Sequence, residues 1–214
     1  MLDQYKRQIS YLRISVTDRC NLKCNYCIPN NHDIKYIDKL LSFEQITDFV
    51  KIAVKHGINK VRLTGGEPLM RKEITKLISM LSNVKGIDDL SLTTNGILLK
   101  KYAQELKANG LKRINISLDT LNTEKYKNIT CGGDLNEVKE GILAAIEIGL
   151  IPIKINCVIQ NNSSEPDALE VKEFCAKNNL QVRFIHKMNL REGNFKAIEG
   201  GDGGKCDKCN KIRL

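Results

Sequence analysis

Tyr11-Leu12-Arg13-Ile14-Ser15-Val16 and Lys60-Val61-Arg62-Leu63-Thr64 decide the fold. Both runs are short and alternate polar with apolar residues, as a strand with two unlike faces does. Side chains two apart on a strand share a face. Arg13, Ser15 and Thr17 therefore stand together against Leu12, Ile14 and Val16, and Lys60, Arg62 and Thr64 against Val61 and Leu63. Four later runs, residues 90–93, 113–118, 153–158 and 181–185, repeat the pattern. Their polar faces carry Ser91 and Thr93, Asn115 and Ser117, Lys154 and Asn156, and Arg183.

Helix-period segments separate these runs, near residues 43–55, 72–81, 98–108, 135–148 and 166–177. Ser42 with Gln45 three residues on predicts a capping box, and Gly57, Gly110 and Gly149 predict helix ends. Such alternation implies a parallel sheet with right-handed crossovers. A doubly wound sheet would read as continuous apolar runs, and a closed eight-fold barrel would fill its interior with aliphatic side chains. Six units, each with one polar face, instead predict a partial, open (β/α)6 barrel of TIM type over residues 1–188. Residues 189–214 read as a short C-terminal loop appendage. Arg13, Lys60, Arg62, Lys154 and Arg183 are expected to face the interior, with no inward Asp or Glu on these strands. That excess of positive charge calls for an anionic guest. The other reading is that some strands are edges with solvated polar faces.

The 214 residues suit one domain with an appendage, and 28% charged with 42% hydrophobic residues describes an ordinary globular chain. No apolar run is long enough to span a bilayer, and the first residues lack the apolar stretch of a signal peptide, so a cytoplasmic protein is expected. The formal net charge of +9 fits either a solvated basic surface or an anionic ligand. Eight cysteines in a cytosolic chain are not expected to form a disulfide framework. Cys157 and Cys175 lie in apolar patterns and read as buried, inert thiols. Cys131, in a Gly-rich turn, carries no assignment.

The remaining five cysteines fall in two groups. Cys20-Asn21-Leu22-Lys23-Cys24-Asn25-Tyr26-Cys27 has a C-x3-C-x2-C spacing and directly follows the first strand. That is the end of a β/α barrel where active sites sit. Thiolates suit iron–sulfur clusters, and three of them on a four-iron cube leave one iron for the amino and carboxylate groups of a small molecule. The alternative is a zinc site with His32 as fourth ligand. Thr64-Gly65-Gly66-Glu67-Pro68 follows the second strand, and its glycines permit close backbone approach. Cys206-Asp207-Lys208-Cys209 is a C-x2-C pair, which on its own also fits a zinc knuckle or a redox pair.

The cysteine triad and the Gly-Gly-Glu-Pro loop, in that order, resemble the radical S-adenosylmethionine (SAM) superfamily. The resemblance implies that Cys20, Cys24 and Cys27 hold a [4Fe–4S] cluster. It implies that Tyr26, Gly65, Gly66, Glu67, Ser117 and Met188 contact SAM. One-electron reduction then cleaves SAM to methionine and a 5′-deoxyadenosyl radical, which takes a hydrogen atom from substrate. More closely, residues 11–19, 62–71, 93–96, 113–119 and 209–214 resemble the GTP 3′,8-cyclase family of molybdenum-cofactor biosynthesis. This second resemblance implies GTP contacts at Arg13, Lys60, Arg62, Thr93, Lys154, Arg183, Lys211 and Arg213. It also implies a second [4Fe–4S] cluster that includes Cys206 and Cys209.

The sequence departs from that family in four places. The stretch between Met188 and Cys206 is short, no third cysteine follows Cys209, Lys211 stands where Arg is usual, and the family's Gly-Gly tail is missing. The second cluster is therefore expected to be incomplete in this chain. The implied partners are GTP, an electron donor such as a flavodoxin or ferredoxin, and a downstream cyclic pyranopterin synthase, with neither a membrane nor nucleic acid. Two other functions stand beside GTP cyclisation: a radical SAM enzyme acting on another nucleotide or a peptide, and a truncated, inactive relative.

Overall fold

The structure is a computed structural model that describes residues 2, 4–27 and 40–187. Six strands, β1 (Tyr11–Ser15), β2 (Lys60–Thr64), β3 (Asp89–Thr94), β4 (Arg113–Ser117), β5 (Ile153–Ile159) and β6 (Gln181–His186), lie in the order β1-β2-β3-β4-β5-β6. Among the described residues β1 and β6 are the two ends of this order, so the sheet is open, as expected. Among the described residues six α-helices intervene: α1 (Phe43–Lys55), α2 (Ile74–Ser82), α3 (Leu99–Ala108), α4 (Thr123–Thr130), α5 (Leu135–Glu147) and α6 (Pro166–Lys177). Ser42 caps α1 in a full capping box with Gln45. Gly57, Gly110 and Gly149 follow their helices at positive φ. Two features are absent from the sequence reading. A 3-10 turn spans Pro68–Met70, and α4 buries only Tyr126 and Thr130, too few apolar residues to show a helical period.

The chain divides into two compact units. The first holds β1–β3, most of β4, and α1, α2, α3 and α5. Its strands pair in parallel with Leu12 opposite Val61, Val61 opposite Leu90, and Leu92 opposite Ile114. These residues carry the apolar face, and Val61, Leu63, Leu90, Leu92, Ile114 and Ile116 are each 1% exposed or less. Leu77, Ile78 and Leu81 of α2 and Leu99, Ala103 and Leu106 of α3 are buried to a similar degree. This is the aliphatic layer that alternation demands on one side of the sheet.

The second unit holds the turn around Cys24–Cys27, α4, most of β5, α6 and β6. In β5, residues alternate between buried and half-buried throughout. Ile155, Cys157 and Ile159 are buried, and Ala168, Val171 and Cys175 form the buried stripe of α6. The two isolated thiols are thus core groups. Burial pushes the Cys157 thiol up to about 12, with a further contribution from the Asp119 charge, and the Cys175 thiol up to about 11. Both stay protonated near neutrality, and a protonated, inaccessible thiol is a poor nucleophile. Iodoacetamide at pH 8 should leave Cys157 and Cys175 unlabelled in the folded chain and modify both in denaturant, read by peptide mass spectrometry. Labelling of either one in the folded chain as fast as Cys131, which is exposed, would contradict this assignment.

Candidate active site

In the first unit the polar face of the sheet is layered by register. Arg13 stands opposite Arg62, Arg62 opposite Ser91, and Ser91 opposite Arg113. Arg62 is 9% exposed, and its guanidinium donates Nε to Ser91 Oγ at 3.3 Å. With its amide turned so that the oxygen faces the guanidinium, Asn115 accepts from Nη1 at 2.8 Å, Nη2 at 3.0 Å and Nε at 3.2 Å. The Tyr11 ring lies 5.3 Å from the guanidinium carbon, within cation–π range. These partners are neutral. Burial lowers the Arg62 pKa, and the charges of Arg113 and Arg13 lower it further, against Tyr11 and Asp89.

One expectation is corrected here. β3 begins at Asp89, one residue earlier than the alternation suggested, and Asp89 shares the polar face with Ser91 and Thr93. Arg113 grips it through Nε at 2.7 Å and Nη2 at 2.6 Å. An inward acid therefore exists, but it is held by Arg113 in a half-buried, two-pronged ion pair. The exposure of the other expected contacts varies. Arg13 and Lys60 are exposed and Thr93 is half-buried in this unit; Lys154 and Ser117 are half-buried and Arg183 is exposed in the other. Met188, Cys206, Cys209, Lys211 and Arg213, like His32, lie outside the described residues.

The Gly-Gly-Glu-Pro loop meets the root of the cysteine loop backbone to backbone. Gly66 N–H donates to Thr17 O at 2.7 Å and Glu67 N–H to Arg19 O at 2.8 Å. A Cβ on Gly65 would lie 2.3 Å from Thr17 O, and one on Gly66 2.3 Å from Arg19 O. Gly65 also has φ +150°, where side chains are strained. The first use of these glycines is thus to let two backbones touch. Their outer side remains exposed, which leaves the loop backbone open to a ligand.

Glu67 is 1% exposed, and its carboxylate is fully engaged by protein. Oε1 accepts from Leu69 N at 3.0 Å and Thr94 Oγ1 at 2.8 Å, and Oε2 accepts from Asn95 N at 2.7 Å. Burial pushes its pKa up, while these three donors pull it down. Arg71 adds a second brace by donating Nη1 to Val16 O at 2.7 Å. Cys20, at the tip of this assembly, is half-buried.

In the second unit the rest of the motif leans on α4. Lys23 N–H donates to Thr130 O at 3.2 Å and Asn25 N–H to Ile129 O at 2.9 Å, so the loop satisfies carbonyls that the helix end leaves unpaired. Cys27 N–H closes a turn onto Cys24 O at 2.9 Å. Tyr26 donates its hydroxyl to Asp119 Oδ2 at 2.7 Å, and Asp119 Oδ1 accepts from Val158 N at 2.8 Å. Burial raises the pKa of both, and the tyrosine is held further up by the facing carboxylate. Asp119, Asn95 and α4 are thus site elements the sequence reading did not single out.

The donor set can be matched to a cluster by its chemistry. Cys20, Cys24 and Cys27 are three thiols on one eight-residue loop, none in a disulfide, none sunk in the core like Cys157. Soft thiolates in this number suit a [4Fe–4S] cluster with one open iron. Among the described residues no three Cys, His, Asp or Glu side chains already stand gathered for one metal ion. The match therefore rests on donor type and on the braced loop ends.

Replacing Glu67 by Gln keeps the shape but sets an N–H against one of the three donors. Glu67→Gln should cost about 1–3 kcal/mol, the penalty for a buried donor left without its acceptor. The measurement is the urea midpoint of the apo chain with an unchanged m-value. An unaltered midpoint would show that the carboxylate does not hold the loop.

Comparison with known proteins places this geometry. The sequence profile described as the Radical SAM superfamily matches residues 14–175. The GTP 3′,8-cyclase of Alkaliphilus metalliredigens (strain QYMF) is 46% identical over 195 residues, covering 91% of this chain and 61% of that protein. The GTP 3′,8-cyclase of Alkaliphilus oremlandii (strain OhILAs) is 48% identical over the same length and shares. That of Syntrophomonas wolfei subsp. wolfei is 48% identical over 261 aligned residues, covering 100% of this chain and 80% of that protein. This last alignment is longer than the chain, so the relative carries additional residues within it. The chain spans about three fifths of the length of the first two relatives. Among solved structures, Streptococcus suis SuiB bound to S-adenosylmethionine matches with TM-score 0.72 at 22% identity, covering 86% of this chain and 42% of that one. Methylornithine synthase (PylB) matches with TM-score 0.69 at 17% identity, covering 94% of this chain and 58% of that one. At such identities these two speak for the fold, and the partial, open β/α barrel expected from strand alternation is the fold they share with it. The chain belongs to the radical SAM superfamily and, within it, to the GTP 3′,8-cyclase family.

Proposed function

We propose that this chain is a radical SAM enzyme acting on GTP, as a GTP 3′,8-cyclase of molybdopterin biosynthesis. The observation that carries the substrate reading is Arg62: a buried guanidinium with neutral partners, in register with Arg13 and near an acid already taken by Arg113. A triphosphate supplies the negative charge this layer lacks, and charge-assisted hydrogen bonds are stronger in a site of reduced dielectric. Lys60, Thr93, Lys154, Arg183, Lys211 and Arg213 are the further contacts in this reading.

Cys20, Cys24 and Cys27 would hold the [4Fe–4S] cluster, and Tyr26, Gly65, Gly66, Glu67, Ser117 and Met188 would form the SAM site. The chemistry that a bound cluster and SAM supply is a 5′-deoxyadenosyl radical, which abstracts a hydrogen atom from substrate. The protein's own part is positional. The exposed Gly65–Gly66 backbone offers polar groups to the amino acid end of SAM, and Glu67 contributes through its main chain, since its carboxylate is occupied. Reduction calls for a low-potential one-electron donor of the flavodoxin or ferredoxin kind, and the product for a cyclic pyranopterin synthase. Cys206 and Cys209 would supply two thiolates to a second cluster, one fewer than the first triad supplies to its own. Among the described residues no helix is long and apolar enough to cross a membrane, in keeping with a cytoplasmic site of action.

Anaerobic reconstitution should give about four irons per chain, the content of one cluster. Cys24→Ala should abolish 5′-deoxyadenosine formation from SAM and dithionite, measured by chromatography. An unchanged rate in that variant would refute the assignment of the triad. About eight irons, falling to four in Cys206→Ala/Cys209→Ala, would show that the second cluster is complete after all.

The substrate is tested by titrating the anaerobic protein with GTP, ATP, GMP and guanosine. GTP should bind more tightly than GMP, with affinity falling as salt rises. Arg62→Ala should cost about 1.5–3 kcal/mol, roughly tenfold to a hundredfold in Kd. Arg13→Ala, at an exposed position, should weaken GTP in the same direction without the folding risk. Guanosine binding as tightly as GTP would remove the triphosphate site and bring a peptide substrate forward.

A further inference from the structure

Asn95 follows β3, and its backbone N–H and both ends of its side-chain amide have partners. Its backbone N–H donates to Glu67 Oε2 at 2.7 Å, and its Oδ1 accepts from Ile97 N at 3.1 Å. Because that oxygen already receives an N–H, the amide has one orientation, with Nδ2 turned toward the cysteine loop. Nδ2 donates to Asn21 Oδ1 at 2.8 Å and reaches Cys20 Sγ at 3.9 Å. Cys20, Asn21, Glu67 and Asn95 all belong to the first unit. A buried carboxylate thus fixes the backbone of a residue whose side-chain amide is aimed at one thiol of the triad.

We propose that Asn95 is a positioning residue that donates an N–H to the sulfur of Cys20 and so makes the cluster on that sulfur easier to reduce. This rests on the reading of Cys20 as a cluster ligand. Reduction adds one negative charge to a cluster held by thiolates. A hydrogen bond to a ligand sulfur draws off part of that charge and favours the reduced state over the oxidised one. Asn21, bonded to the same amide, keeps the donor from turning away.

The experiment is a redox titration, followed by electron paramagnetic resonance, of the anaerobically reconstituted full chain without SAM or nucleotide. Asn95→Ala removes the donor and should lower the equilibrium constant for reduction about tenfold, equivalent to 59 mV for a one-electron couple. Asn95→Asp keeps the acceptor for Ile97 but faces the sulfur with oxygen, so its shift should be larger in the same direction. Thermal unfolding of each apo chain is measured alongside. Variants that load iron and keep the wild-type potential overturn the proposal, whether or not their unfolding temperature falls, because a merely structural residue would change only the latter. If Asn95→Ala folds but takes up no iron, Asn95→Gln decides. Recovery of iron with the longer amide supports the donor role, and no recovery overturns it. A wild-type chain without a cluster on the first triad would instead refute the ligand reading of Cys20.

Discussion

Two stretches of backbone, one following β1 and one following β2, meet in direct hydrogen-bonded contact. Gly66 N–H meets Thr17 O, Glu67 N–H meets Arg19 O, and neither glycine leaves room for a Cβ. Everything proposed for the site depends on this contact, because it sets where the cysteine loop leaves β1. A side chain at either glycine would push Thr17 or Arg19 away and carry Cys20 with it. The contact has little energy of its own. A backbone hydrogen bond contributes about 1 kcal/mol net, so the strength lies in how it is backed. Glu67 takes Leu69, Thr94 and Asn95 from behind, and Arg71 holds Val16 from the side. Turn, strand end and loop root are thereby locked as one piece.

The second half of the motif is held by a different device with the same logic. A helix C-terminus leaves carbonyls without partners. At the end of α4, Lys23 and Asn25 supply two of the missing donors through their main chains. Tyr26 then anchors its ring by a hydroxyl bond to Asp119, whose other oxygen is taken by β5. Backbone pairing fixes the path of the loop, and one half-buried polar pair fixes the aromatic beside the last thiol. None of these bonds uses a thiol.

This explains which parts of the molecule could be read from the sequence. Strand parity was legible because Leu12, Val61, Leu90 and Ile114 alternate in residue type with Arg13, Arg62, Ser91 and Arg113, although Arg62 and Ser91 are buried as well. The start of α1 was legible because Ser42 and Gln45 form a cap by local contacts alone. The cysteine spacing and the Gly-Gly pair carried their meaning in residue type. Helix α4 did not, since Tyr126 and Thr130 are its only buried residues and its stability comes from Asn122 at one end and the cysteine loop at the other. Asp89 escaped because one residue more of strand, added by pairing with Lys60, brings it onto the polar face. Asn95 and Asp119 escaped for a deeper reason. Each acts on residues tens of positions away, and a lone Asn or Asp beside a strand end reads first as a turn residue.

The polar face adds a final constraint. Arg113 is neutralised by Asp89, while Arg62, on the other side of β3 and likewise opposite Ser91, is given an amide and a hydroxyl. A carboxylate opposite Arg62 would hold it more tightly but would also cancel its charge. Neutral acceptors orient a guanidinium without cancelling it, and that distinction separates a binding charge from a structural one. The sheet contains both kinds on one face: a closed ion pair that needs nothing further, and beside it an oriented, desolvated cation. A buried cation hydrogen-bonded by neutral groups alone carries a desolvation cost that an anion can offset.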